Sequence, residues 1–417
     1  DPLDDGEVNL SAHMDAFMGN PPFLGGRQIS GAFGNSYLDW LLESNVGTHG
    51  NGDLVAHFFR RASSLLGRHG THGFVATNTI AQGDTRAGGL QRLLLEGDVI
   101  YDCVPTQLWP GDAAVAVAIV HVARGLPVRA LLPFRIAGIA TETISSRLDG
   151  SRERSDPFPL RANADIASQG TKIYGQGFVL TSAERERLVA EEPRNAARIF
   201  PYLGGDEVNS SATQSPERFV ISFHGMSLDE ACAWPSLLEV VRERVKPDRE
   251  VLRLDNASAR VLREQWWRFQ AHRPSLYSAL DGIARCLVTA QVTKHLCFSF
   301  QPTGRVYSEK LYVFPLDSMA AFCTLQSRLH VAWTWLLSST MKNDLNYSAS
   351  DCFETFPFPG KAPNETVPGL ERFGTFLYEH RAEYMLEKGV GLTTTYNRLK
   401  DPCLLYTSPS PRDRTRS

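Results

Sequence analysis

Asn20-Pro21-Pro22-Phe23 is the part of this chain whose residue types and order point most directly to chemistry. A proline has no N–H, so the tetrapeptide presents carbonyl oxygens with almost no competing donors. Pro22 also holds Pro21 in an extended conformation and so fixes the direction of the Pro21 carbonyl. The Asn20 side-chain oxygen and that carbonyl form a pair of acceptors for the two hydrogens of one exocyclic amine, and Phe23 offers a ring on which a planar base can stack. Those are the demands of methylating the amino group of an adenine or cytosine drawn out of a duplex. The same four residues can also end a strand with no chemistry attached.

The elements that position this turn are short. The stretch Met14–Gly19 reads as a buried strand leading into it, and Leu24 to Gly34 reads as a glycine-rich loop leaving it. Ser36 to Leu66 has helical spacing (Leu54, Val55, Phe58, Phe59, Ala62, Leu65, Leu66), interrupted by a polar insert at Val46 to Gly52, with Gly67 and Gly70 as stop signals. Gly73 to Thr77 reads as a short buried strand ending at Asn78. A helix over Thr85 to Leu95 follows, then strands over Val99 to Cys103 and Ala113 to Val122, joined by Leu108-Trp109-Pro110-Gly111-Asp112. This alternation predicts a layered α/β domain.

From Arg124 to Gly170 the chain is rich in loops and prolines, which places a boundary near residue 140. The expected organisation is 1–140 as a catalytic half-domain, 141–360 as a mixed α+β recognition domain, 361–402 as a helical segment, and 403–417 as a non-native tail. In the second region Arg218 to Phe223, Cys297 to Phe300 and Lys310 to Phe314 read as strands. Ser318 to Leu337 reads as one helix with Phe322, Leu325, Leu329, Ala332 and Leu336 on a shared face, and Val367 to Lys388 as another.

Composition excludes several classes. The chain has 417 residues, 42% hydrophobic and 21% charged, as in ordinary soluble proteins. The net charge of −3 does not announce nucleic-acid binding, although the basic residues are 35 arginines against 8 lysines. The seven cysteines are scattered with no C-x-x-C, so neither a zinc site nor a disulfide framework is expected and a reducing cytoplasm is the default. No apolar run is long enough to span a bilayer. His69-Gly70-Thr71-His72 has metal-like spacing but reads as a turn without further ligands, so no metal is expected. Phe322, Trp333 and Trp335 read as core. Ser222 and Ser327 lack a nucleophile elbow.

In order along the chain, GNPPFLGG, FFRRA, GFVATNTIAQGDTR and LWPGDAAVAVAIVHV resemble the N6-adenine DNA methyltransferases of the MmeI-like and phage-defence group. FPYLGGDEVN, WWRFQAHRP, LQSRLHVAWTW and YSASDCFETFPFP resemble that family's later segments, and the likeness covers about residues 12 to 401. It implies a partial Rossmann-like class I methyltransferase domain followed by a target-recognition domain. S-adenosylmethionine is the implied cofactor and double-stranded DNA the implied partner, with restriction or defence-system subunits as further partners.

Carried over by residue, Asn20 and Pro21 would grip the adenine N6 amine, Pro22 would set the turn, and Phe23 would stack. Gly19 would allow close approach, and Asn78 would line the pocket. The family's glycine-rich cofactor loop has no counterpart downstream of Asn20, so the resemblance is to an N-terminally truncated enzyme, expected to be inactive alone. A non-catalytic DNA-binding fragment, or a methyltransferase acting on RNA or protein glutamine, are the alternatives.

The segment Arg242 to Arg273 carries nine cations and five acids around Trp266 and Trp267. It is a candidate phosphate-contacting face, with Arg263, Arg268, Arg273 and Trp267 as the expected DNA contacts. A solvated helix face laced with ion pairs fits the same composition.

Overall fold

The computed structural model describes residues 3–4, 7–8, 14–109, 115–253, 257–341 and 344–401. The segment 403–417 and the Pro110-Gly111-Asp112 turn lie outside them. Two compact units emerge, residues 1–157 with 337–342, and residues 158–336 with 343–417. This division falls after Pro157, later than the boundary near residue 140 read from the sequence. The reason is local: side chains from Ser146 to Asp156 bond to Arg86, as described below.

The first unit is built on one twisted sheet. Its strands are β1 (Met14–Gly19), β2 (Leu66–Thr77), β3 (Val99–Leu108), β4 (Ala116–Ala123), β5 (Phe134–Ile136) and β6 (Ile139–Thr141), in the spatial order β1-β2-β4-β3-β5-β6. β1 runs parallel to β2, while β4 is antiparallel to both β2 and β3. Helices α1 (Gly26–Phe33), α2 (Asn35–Ser44) and α3 (Leu54–Leu65) form the crossover from β1 to β2. A parallel pair requires such a long connection. Val55, Phe59 and Ala62 of α3 recur on one face and pack with Phe74, Ala76, Val120 and Val122 from the sheet.

Four local readings change. Met14–Gly19 is a strand, but an exposed one: Met18 is 95% exposed, and among the described residues β1 is an edge strand paired only with β2. Leu24 to Gly34 contains helix α1 rather than a continuous loop. Helix α3 ends at Leu65, just ahead of the stop signals Gly67 and Gly70, but the strand read over Gly73 to Thr77 begins earlier: β2 runs from Leu66 through both glycines, held along Thr71 to Thr77 by the antiparallel partner β4. The helix read over Thr85 to Leu95 is broken at Gly89 into α4 (Gly83–Gly88) and α5 (Leu90–Leu95).

The second unit contains two four-stranded sheets among the described residues. One orders Val179–Leu180, Arg218–Ile221, Ile199–Leu203 and Val306–Tyr307. The other orders Ser299–Pro302, Arg285–Ala290, Leu311–Phe314 and Ser168–Gln169. Their apolar faces pack with the helices, including Pro235–Arg244 on the first sheet and Pro274–Leu280 on the second. The helix read over Ser318 to Leu337 is two helices, Met319–Leu325 and Arg328–Leu337. The break shifts the helical phase, so Phe322 and Leu325 are buried but Leu329 and Ala332 are exposed, and His330, Thr334 and Leu337 take the inner positions. Trp335, expected in the core, is half-exposed. No described helix is long and apolar enough to cross a membrane.

Candidate active site and candidate nucleic-acid interface

Parallel pairing of β1 with β2 sets Gly19 opposite Phe74, so both strands deliver their carboxyl ends to one edge of the sheet. Two consecutive prolines then stop β1 from continuing its ladder. β2 runs three residues beyond the level of Gly19, about 10 Å at 3.3 Å per residue, before Asn78 opens a 3-10 turn (Asn78–Ala81). Asn20 and Asn78 therefore leave the same edge at different heights. At Gly19 an added Cβ would meet only the ring of Phe74, at 3.9 Å, so the strand end is open.

Asn20 is exposed and its side chain makes no hydrogen bond with a described residue. Pro21 is buried and Pro22 exposed. Phe23 is half-buried, resting on the core cluster that contains Phe59 and Phe74. The turn thus has an anchored proline and ring and a free polar side chain at its start.

Asp53 holds the chain as it leaves the turn. Its Oδ1 accepts from the Leu24 N–H at 3.2 Å and from the Val55 N–H at 3.0 Å, so one buried carboxylate tethers the residue after Phe23 and caps α3. The Leu54 N–H donates back to the Leu24 carbonyl at 2.9 Å, and the Asp53 N–H donates to Thr85 Oγ1 at 3.1 Å. Gly26 is locked in place as well: a Cβ there would sit 2.4 to 2.5 Å from the backbone of Gly50, Asn51 and Gly52. The sequence reading did not single out Asp53 or Thr85, although an aspartate just ahead of an apolar helical run is a cap signature.

Arg86, fully buried beside Thr85, is the hub of a second tether. Its Nη1 donates to Ser146 Oγ at 2.8 Å and lies 3.7 Å from Glu153, and its Nη2 donates to Asp156. Arg147 reaches the same Asp156 at 2.5 Å. This network fastens the polar segment 146–156 onto α4, which follows the Asn78 turn.

The His69–His72 spacing falls in β2, not in a turn. Residues three apart on a strand point to opposite faces, so the two rings cannot share one ion. His69 is exposed. His72 is 1% exposed, its ring nitrogens make no hydrogen bond, and burial with His121 nearby lowers its pKa to about 4.

In the second unit the basic segment resolves into three groups. Arg242, Arg244 and Lys246 pair with Glu239, Glu184 and Glu250 at 2.6, 2.5 and 3.7 Å. Arg249 is 1% exposed and donates to the carbonyls of Gln265, Trp266, Arg268 and Ile173; burial lowers its pKa to about 10. It is a cross-brace for the chain around the two tryptophans. Trp267 is 9% exposed, and its indole N–H donates to the Met226 carbonyl at 3.1 Å. Arg268 donates to the same carbonyl at 2.8 Å and lies over the Trp267 ring. Trp267 is thus engaged inside the unit, and Arg268 is half-buried with its guanidinium committed to that carbonyl. Arg253, Arg260, Arg263 and Arg273 are exposed and have no ion-pair partner among the described residues. Arg260 and Arg263 lie three apart on the helix Ala257–Glu264.

Residues 6–130 match the family model "MmeI, DNA-methyltransferase domain", and residues 154–360 match "MmeI, target recognition domain". DNA methyltransferase A of Bacillus subtilis (strain 168) is 20% identical over 353 residues, covering 82% of this chain and 38% of that protein. The solved structure of the type IIL restriction-modification enzyme MmeI in complex with DNA superposes with a TM-score of 0.65 at 18% identity, over 90% of this chain and 54% of that one. The present chain therefore spans about half, or less, of the length of these relatives. Two successive domain matches, on an α/β unit followed by a mixed α+β unit, identify the chain as a member of the MmeI-like DNA methyltransferase family.

Proposed function

We propose that the chain takes part in transferring a methyl group from S-adenosylmethionine to the N6 amine of an adenine flipped out of double-stranded DNA, within a restriction-modification or phage-defence system. The observation that carries this reading is the exposed, unbonded Asn20 followed by the anchored Pro21 and Phe23 at the carboxyl edge of β1. When bound, S-adenosylmethionine supplies an electrophilic methyl group on a sulfonium. Of this chain's residues, Gly19 at the open strand end and Asn78 on the same edge would line the donor's site. On the acceptor side, the Asn20 oxygen and the Pro21 carbonyl accept the two N6 hydrogens, and the exposed part of the Phe23 ring supports the base.

The adenine amine is a weak nucleophile because its lone pair is delocalised into the ring. Two fixed acceptors favour a pyramidal nitrogen and stabilise the positive charge that grows on it. Such preorganised groups are worth about 3 kcal/mol each, by analogy with loss of one oxyanion donor. Flipping the base costs a few kcal/mol, offset by the contacts made in the pocket. No strong general base is required, because the amine becomes acidic as it is methylated.

Sequence recognition belongs, in this reading, to the second unit, where exposed Arg263 and Arg273 approach phosphates or base edges. In the complete enzyme, with the cofactor loop present, Asn20→Ala is expected to lower transfer of labelled methyl groups to duplex DNA by about 100-fold or more, the equivalent of about 3 kcal/mol, with DNA affinity little changed. Turnover equal to that of the parent would remove Asn20 from the chemistry.

A further inference from the structure

We propose that the second unit binds a small organic anion, a phosphomonoester carried on a compact apolar body, in a cavity beside the strand Ser299–Pro302 and the helix Pro368–Lys388. The cavity has a volume of about 360 Å³. That is within the range of small-molecule sites, roughly 300–1,000 Å³. Its lining combines two arginines, Arg305 and Arg381, with the apolar side chains of Phe300, Met385 and Leu386, and contains no acidic residue.

The two cations have no counter-charge among the described residues. Neither Arg305 nor Arg381 pairs with a carboxylate among the described residues. Arg381 is 7% exposed. Its Nη1 donates to Gln326 Oε1 at 3.2 Å and to Tyr396 Oη at 3.4 Å, and its Nη2 donates to the Phe298 carbonyl at 2.7 Å. The guanidinium also lies 5.0 and 5.2 Å from the ring centres of Phe322 and Tyr378. Neutral oxygens and ring faces orient a cation without cancelling its charge, and an uncompensated buried charge is costly. A guanidinium carries five N–H donors. These three bonds leave two uncommitted, and its planar fork suits the oxygens of a phosphate. Arg305 is fixed at the same cavity by its bond to Gln301 Oε1 at 2.6 Å.

An entering phosphate monoester would neutralise this pair of charges while its apolar body covers Phe300 and Met385. The phosphodiester of a duplex is the wrong shape for the site, because Arg381 lies below the surface and only a terminal group on a small body can reach it. The inference concerns a site separate from the Asn20 edge and does not depend on methyl transfer.

The test is calorimetric titration of the full chain with phenyl phosphate, inorganic phosphate and phenol. Phenyl phosphate is expected to bind saturably at one site, inorganic phosphate at least about 10-fold more weakly, and phenol not at all. Arg305→Gln should weaken phenyl phosphate by about 10-fold or more, with Arg305→Lys recovering part of the loss. Circular dichroism and the melting temperature of each unliganded variant report whether it is folded. The absence of saturable binding, an affinity unchanged in folded Arg305→Gln, or displacement of phenyl phosphate by short duplex DNA would each overturn the proposal.

Discussion

Replacing Asp53 tests how the candidate active-site turn is held. One oxygen, Oδ1, accepts from both Leu24 and Val55, so Asp53→Ala removes two interactions at once. Loss of the helix cap costs about 1 kcal/mol. Leaving the part-buried Leu24 N–H without a partner adds about 1–3 kcal/mol. The expected destabilisation is therefore about 2–4 kcal/mol. Asp53→Asn keeps an acceptor oxygen at the same position and should retain most of the stability. Urea unfolding gives the global change, and native-state hydrogen exchange at the Leu24 amide gives the local one. A local loss of 2 kcal/mol corresponds to exchange about 30-fold faster at Leu24 in Asp53→Ala. Two results would refute the reasoning. One is unchanged Leu24 protection in Asp53→Ala. The other is equal damage from Ala and Asn, which would assign the effect to charge and not to the shared oxygen.

The other expectations concern distinct residues. His72 has a folded pKa of about 4 against an ordinary 6.5, so the unfolded chain binds the extra proton and stability is lost as pH falls from 6.5 toward 4. The loss reaches about 3 kcal/mol. His72→Phe should remove that share of the acid slope, measured as unfolding free energy at pH 7 and pH 4.5; slopes that stay parallel would contradict it. Gly26→Ala forces a methyl group into the backbone of residues 50–52 and should cost about 1–3 kcal/mol in thermal unfolding, an unaltered melting temperature being the contrary outcome. Arg263→Ala should weaken duplex DNA binding and reduce the salt dependence of log affinity by about one unit. Unchanged affinity and slope would place Arg263 outside the interface.

Sequence legibility followed the range of the interactions involved. The periodic apolar residues of α3 located that helix, because Val55, Phe59 and Ala62 pack as a stripe whose spacing depends only on the helix itself. The Asn20–Phe23 turn was visible for a similar reason: proline chemistry is local. Exposure of β1 was not visible, since an apolar hexapeptide looks the same at a sheet edge as at its centre. The double role of Asp53 also escaped, because its partner Leu24 lies on a different element. In the segment Arg242 to Arg273, composition counted cations but could not separate Arg249, spent on four carbonyls, from exposed Arg263. One break after Leu325 moved Leu329 from an inner position to solvent, a phase error that periodicity alone cannot detect.

The parallel pairing of Gly19 with Phe74 has a kinetic corollary. These neighbours are remote in sequence, so the chain must close a long loop before they reward it, and such contacts form slowly. Helices α1 to α3 can condense from nearby residues well before β1 docks. A refolding intermediate should then contain its helices while the Asn20 turn has nothing to brace it. Lesions in α3, such as a truncated Phe59, would delay the bracing of that turn while leaving the residues of Asn20-Pro21-Pro22-Phe23 themselves unaltered.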